Sequence, residues 1–340
     1  MKTILLPMVD DESIETSLAA AHFLARRFNG HIEGLFVRAA PPTVPRATIP
    51  GHFLKQYHEY WDESAENARA RFTAFMGDRG VPFREIAVKS QEPTAWWTEL
   101  EGERGPAVGS YGRLFELIIA GRTPPEPLDE WAALCEAALF DSGRPVLVPG
   151  PVPLEAFGET VAIAWNGSTE TARTIALAMP ILSTAKQVTV LSVTGASGGM
   201  VPGPTGSQVA AYLARSGVDA EARDVAAKGR SPGTAILEEA ADIGADLLQV
   251  HTHIRHLVAI DDQFRLGLVY FYIDQWWKSE HAALSRFGLK LLGKLEDLIL
   301  VRGRGQDKFH GKFAAAGQRG RRDWKNSNSR DGLQFSLNFR

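Results

Sequence analysis

The chain has 340 residues, enough for two domains at roughly 150 residues each. Its 44% hydrophobic and 23% charged residues are those of an ordinary globular protein, and a net charge of -3 gives no general reason to expect nucleic acid or an anionic membrane as partner. A single cysteine, Cys135, excludes an internal disulfide framework and a multi-thiolate metal site. The opening MKTILLPMVDDE is too short an apolar run for a signal peptide. Nowhere do about 18 apolar residues follow one another, so a cytoplasmic location is expected.

KTILLPMV (2–9) reads as a strand buried on both faces. A helical face follows in Ile14, Leu18, Ala21 and Leu24, stopped by Asn29-Gly30. HIEGLFV (31–37) is a second strand, and 52–79 carries a long helical pattern with Tyr57, Trp61 and Phe72. Core packing is the expected role of those aromatics, ahead of a cleft cover or a dimer face. VPFREIAV (81–88) is read as the third strand and PTAWWTELEG as a helix. LFELIIAGR (114–122), DEWAALCEAAL (129–139) and RPVLVPG (144–150) continue as strand, helix and strand. Such alternation predicts parallel βαβ units with right-handed crossovers.

PGPVPLEAFG (149–158) has the composition of a linker, and after it the order restarts. TVAIAW (160–165), TARTIALAMPIL, QVTVLSV (187–193), VDAEARDV (218–225), TAILEEAADIG (234–244) and ADLLQV (245–250) repeat the plan. The Gly-rich GASGGMVPGPTG (195–206) stands where the first half has its long insertion, and reads as a flexible connector. A repeat period of about 150 residues points to internal duplication.

Four stretches in this order, LLPMVDDES, FELIIAGRTPPEPLDEWAALCEAALFDSGRPVLVP, VAIAWNGSTETARTIALAMPIL and GRSPGTAILEEAADIGADLL, resemble a tandem universal stress protein of the universal stress protein A-like family. The resemblance covers residues 1 to about 248. It implies an α/β, Rossmann-like fold of the adenine nucleotide alpha hydrolase type. Two tandem open parallel five-stranded sheets would carry helices on both faces, the second domain being incomplete. Ligands would bind at the carboxyl ends of the strands. The expected division is a first domain over 1–150, a second over 159–250, and a segment outside the family over 251–340.

ATP-binding relatives use an acidic residue after the first strand and a Gly-rich loop after the fourth, where backbone N–H groups cradle phosphates. In the first half Thr-Pro-Pro-Glu-Pro-Leu-Asp-Glu (123–130) fills the place of that loop, removing N–H donors and adding negative charge. That half is read as degenerate, with Asp10 a turn or cap residue. The second half keeps Asn166-Gly167-Ser168 after its first strand, Asn166 standing where binders carry the acid. A turn with Ser168 as N-cap is the plainer reading. A weak adenine-nucleotide site would draw on Ala164, Asn166, Gly167 and Ser168, with Val193 on the base. ATP is thus the cofactor the resemblance allows, without a phosphate grip.

Past the fourth strand of this half the resemblance stops at QVHTHIRHLVAIDDQF (249–264). Gln249-Val250-His251-Thr252-His253 can be encoded CAG GTG CAT ACA CAT; regrouped, the internal bases GGT GCA TAC ACA read Gly-Ala-Tyr-Thr, as relatives have it. The expectation is that the chain from about Gln249 is read out of frame. From Val301 onward ten Lys/Arg face three Asp/Glu, a net +7 that leaves -10 on the preceding residues. This basic tail, with Phe309, Phe313 and Trp324 interleaved, is expected to be solvated and disordered in preference to gripping nucleic acid. LEDLILV (295–301) is a candidate for the fifth strand of the second sheet.

Two further patterns have plain explanations. Gly229-Arg230-Ser231-Pro232-Gly233 fits G-x-S-x-G, but Ser231 as N-cap and Pro232 at the first helical position account for it. His251, His253 and His256 form H-x-H-x-x-H; on a strand His251 and His253 share a face and could meet one Zn²⁺ with Asp261 or Asp262, though solvated histidines are the preferred reading. No catalytic acid, base or nucleophile is placed. The expected function is a non-enzymatic stress-response role exercised by association with protein partners, with itself, or with a ligand.

Overall fold

A computed structural model describes residues 1–9, 14–40, 51–85, 91–121, 128–150, 157–195, 200–251 and 267–271, all within one folded unit, Met1–Asp274. Asp10, the 122–127 stretch, His253, His256, LEDLILV and the basic tail lie outside the described residues. The first half runs Thr3–Pro7 (β1), Ile14–Phe28 (α1), His31–Arg38 (β2), Gly51–Asp78 (α2), Thr94–Glu101 (β3), Arg104–Tyr111 (α3), Leu117–Ile119 (β4), Leu128–Phe140 (α4) and Val146–Val148 (β5). The second runs Thr160–Ala164 (β6), Thr169–Leu182 (α5), Gln187–Thr194 (β7), Gly206–Arg215 (α6), Ala220–Ala226 (β8), Pro232–Asp242 (α7) and Leu247–His251 (β9). Gly267–Phe271 (β10) follows.

The strands form one sheet in the order β3-β2-β1-β4-β5-β10-β9-β6-β7-β8. Its first block, β3-β2-β1-β4-β5, is parallel throughout, and so is the second, β9-β6-β7-β8. β10 stands between them, parallel to β9 and antiparallel to β5. Each block places its first strand at the centre and steps outward through the second and third, so the duplicated plan read from the sequence is repeated in three dimensions.

Alternate residues of the central strands serve opposite faces, as strand geometry requires. Ile4, Leu6 and Met8 of the β1 segment join Val161 and Ile163 of β6 in one core that both halves share, under α1, α2, α5 and α6. On the other face Leu5 packs under α3 and α4, and Ala162 packs under α7. Phe72 of α2 is fully buried against Trp97 of β3, with ring centroids 5.7 Å apart, which fixes core packing as its role. Trp61 meets Phe36 edge-on at 6.2 Å, and the Tyr57 hydroxyl donates to the carbonyls of Ala39 and Ala40.

The third strand is not where the sequence pattern puts it. VPFREIAV contributes an isolated bridge, Phe83 to Ala95, while TAWWTELE, expected to be helical, forms β3. All eight residues of β3 pair with β2, and Trp97 lies against Phe36 and Phe72. Only one segment can take the free edge of β2. The one that completes a ladder and buries an indole displaces the one that does not. Two helices escaped the pattern: α3, which contains Gly105, Pro106 and Gly109, and α6, which follows the Gly-rich connector.

At the start of the second half, the carboxylate of Asp246 accepts from the backbone N–H groups of Gly158, Glu159 and Thr160 at 2.9, 2.9 and 3.3 Å. Burial pushes its pKa up, and these three hydrogen bonds oppose that. Gln249 in β9 is 2% exposed; its amide donates to the Thr174 hydroxyl at 2.6 Å, and its carbonyl oxygen has no partner among the described residues. A buried orphan acceptor in an interior strand is costly. It falls at the point where the family resemblance stops.

Candidate functional site

β6 ends at Ala164, and the turn that follows it is built almost wholly from its own polar atoms. The Asn166 side-chain oxygen accepts from the Ser168 backbone N–H at 3.0 Å and from the Thr171 hydroxyl at 3.1 Å. Gly167 sits at φ +89, the left-handed region that glycine alone enters without strain. Ser168 then caps α5: its oxygen accepts from the Thr171 N–H at 3.2 Å. The side chains of Asn166 and Ser168 are therefore engaged within the turn, as the cap reading expects.

A second segment lies on this turn. The Val201 N–H donates to the Asn166 carbonyl at 2.9 Å, and the Trp165 indole N–H donates to the Pro204 carbonyl at 2.8 Å. Between those two bonds Gly203 crosses Gly167 so closely that a Cβ on Gly203 would lie 2.2 Å from the Gly167 oxygen. Reciprocally, a Cβ on Gly167 would lie 2.5 Å from the Val201 oxygen. Two glycines, one on each segment, are what permit the approach. Thr205 then starts α6 with a capping box, exchanging bonds with Gln208. The described end of the connector, 200–205, is thus strapped across the carboxyl end of β6.

The predicted residues divide into two groups. Asn166, Gly167 and Ser168 form the strapped turn. Ala164 and Val193 belong to the cluster beneath α7, with Val225 and Ala227. Residues 164–171 contain one ionisable side chain, Glu170. Elsewhere Ser231 accepts from the Thr234 N–H at 3.1 Å as the N-cap of α7 with Pro232 at its first position, so the G-x-S-x-G pattern is a helix start. Cys135 is buried, which pushes its thiol pKa up and leaves it without thiolate character. His251 ends β9, and among the described residues no group of three His, Cys, Asp or Glu could hold a metal ion. No described helix is long and apolar enough to cross a membrane. The strap leaves little trace in the sequence: Gly167 and Gly203, which permit it, are far apart in the chain.

No family model and no curated protein matches the sequence. Among solved structures, a universal stress protein from Archaeoglobus fulgidus DSM 4304 is similar, with a TM-score of 0.58 at 14% identity over 79% of this chain and 97% of that one. A protein of the universal stress protein family from Burkholderia pseudomallei aligns with 45% of this chain and 96% of its own, at 19% identity and a TM-score of 0.29. The Archaeoglobus likeness is one of fold: this chain has the α/β fold of a universal stress protein structure.

Proposed function

We propose that this chain is a tandem universal stress protein, cytoplasmic and without catalytic turnover, that acts in a stress response by associating with protein partners or with itself. The observation that carries this reading is the strapped turn after β6. Where the family resemblance puts nucleotide contacts, the Asn166 carboxamide oxygen is committed to Ser168 and Thr171, and Gly203 lies on Gly167. A ligand at this strand end must first remove 200–205, giving up two hydrogen bonds. Each such bond is worth about 1 kcal/mol net.

A second reading is weak adenine-nucleotide binding once the strap has moved, with Asn166, Gly167 and Ser168 toward ribose and phosphate and Ala164 and Val193 toward the base. It is favoured by the small number of bonds that hold the strap. Calorimetric titration of ATP into the full chain and into Gly203→Ala separates the two. The added methyl cannot coexist with the Gly167 carbonyl at its present distance, so the strap must lift. Under the first reading neither protein gives a saturable heat. Under the second, Gly203→Ala binds ATP at least about tenfold more tightly than the parent, the effect of relieving ~1.4 kcal/mol of competition.

A further inference from the structure

A cleft of about 570 Å³ opens beside α1, near the amino ends of the strands and so away from the strapped turn. Ala19, His22, Phe23, Arg26 and Arg27 of α1 line it together with Arg79, which follows α2, and Glu159, which precedes β6. Among the described residues, three guanidinium groups and an imidazole therefore share the space with one carboxylate. That carboxylate is already paired, 2.7 Å from the Lys186 ammonium.

The arginines are not equivalent. Arg27 is a strut, donating to the carbonyls of Phe157 at 2.6 Å, Thr184 at 2.7 Å and Gly158 at 3.3 Å. Its place in the last turn of α1, where cations suit the helix dipole, accounts for it fully. Arg79 has its guanidinium carbon over the Phe75 ring, 3.5 Å from the centroid, with one bond to the Phe75 carbonyl at 3.1 Å. Arg26 is exposed. Among the described residues neither Arg26 nor Arg79 has an ion pair with a carboxylate. His22 stands edge-on to the same Phe75 ring at 6.3 Å. Burial, then Arg79 and then Arg26 lower its pKa, so both cations act on the imidazole from two different elements.

We propose that this cleft binds a small phosphorylated molecule, with the phosphoryl group between Arg26 and Arg79 against His22, the carbon skeleton on Ala19 and Phe23, and hydroxyl groups toward Glu159. Two guanidinium groups without an ion pair among the described residues match a phosphoryl dianion, and their planar forks offer more donors than a carboxylate can take up. The volume falls within the roughly 300–1,000 Å³ usual for small-molecule sites. Phe75 fixes Arg79 and orients His22, so much of the site is formed before a ligand arrives.

The test is a titration of the full chain with inorganic phosphate and with glucose 6-phosphate at constant ionic strength, following the ring resonances of His22. Glucose alone serves as the blank. Both phosphates should give a saturable shift with a rise in the ring pKa, because the anion offsets Arg79 and Arg26 around it. Glucose 6-phosphate should bind about tenfold more tightly than phosphate, and Glu159→Gln should erase that advantage, the weight of one hydrogen bond to a charged group. Arg26→Ala and Arg79→Ala should each weaken both ligands about tenfold or more. Arg26 is exposed, so its replacement leaves the buried face of α1 intact, and the same spectra report the fold. An absence of saturation with both phosphates, or unchanged affinity in the Arg26→Ala/Arg79→Ala double variant, overturns the proposal. Equal affinity for the two phosphates overturns the role of Glu159.

Discussion

Single side chains decide several joints of this molecule. His31 opens β2 with its Nδ1 2.8 Å from the Thr94 hydroxyl, and both residues are buried. Burial lowers the imidazole pKa, against the opposing pull of Glu33. The unfolded chain, with its histidine near 6.5, therefore takes up a proton that the folded chain refuses. Stability from this site is complete above about pH 6.5 and falls as the pH drops toward the lowered folded value. Urea midpoints measured between about pH 8 and 5 should fall over that range, and His31→Gln should flatten the slope; an identical slope in the variant contradicts the assignment. Asp246 is a different kind of joint, one carboxylate serving three backbone donors before β6. Asp246→Ala should cost about 1–3 kcal/mol in urea denaturation by leaving those donors without an acceptor.

Among the elements, β3 shows what a tertiary contact can override. Trp97 packs between Phe36 and Phe72, with centroids at 6.4 and 5.7 Å. Trp97→Ala should destabilise the fold by about 3–5 kcal/mol, read as a lowered urea midpoint; a loss below about 1 kcal/mol would mean that the indole is peripheral. The same element marks the limit of reading from sequence. Apolar runs such as TILLP and TVAIA, and caps such as Ser168 and Ser231, declare themselves locally, so β1, β6, α5 and α7 were legible. TAWWTELE carries helix-forming Ala, Leu and Glu, and only its partner β2 makes it a strand. The α3 helix was hidden for the opposite reason. Its glycines are poor helix formers, yet a Cβ on Gly109 would lie 2.7 Å from the Asp141 Cβ, and one on Gly105 would lie 3.0 Å from the Ala133 carbonyl. Glycine there is what allows the close approach between α3 and the α4 region. The candidate site divided similarly. The Asn166-Gly167-Ser168 turn was evident, whereas the strap over it depends on Gly203, which is distant in sequence.

Across the whole molecule, the two blocks meet through β10, antiparallel to β5 and parallel to β9. Truncation after His251 removes this strand and leaves the edges of β5 and β9 unpaired, an invitation to association. The truncated chain should sediment as a larger species than the full chain at equal concentration. A species no larger than the full chain would show that the junction does not depend on β10. At the boundary before that strand, Gln249 carries a buried acceptor without a partner, a local conflict of the sort a well-matched sequence avoids. Reading the gene in the shifted frame after codon 248 tests the matter directly. Continuation into Gly-rich universal stress protein sequence is expected, and its absence ends the frame-shift account.

The central claim is that the strand end after β6 is closed by its own chain. Hydrogen exchange at the Val201 amide and the Trp165 indole N–H, whose acceptors are the Asn166 and Pro204 carbonyls, measures that closure. With the strap in place, both should exchange more slowly than free groups, and millimolar ATP should leave their rates unchanged. Rapid exchange at both, or rates that respond to ATP in a saturable way, would contradict the account.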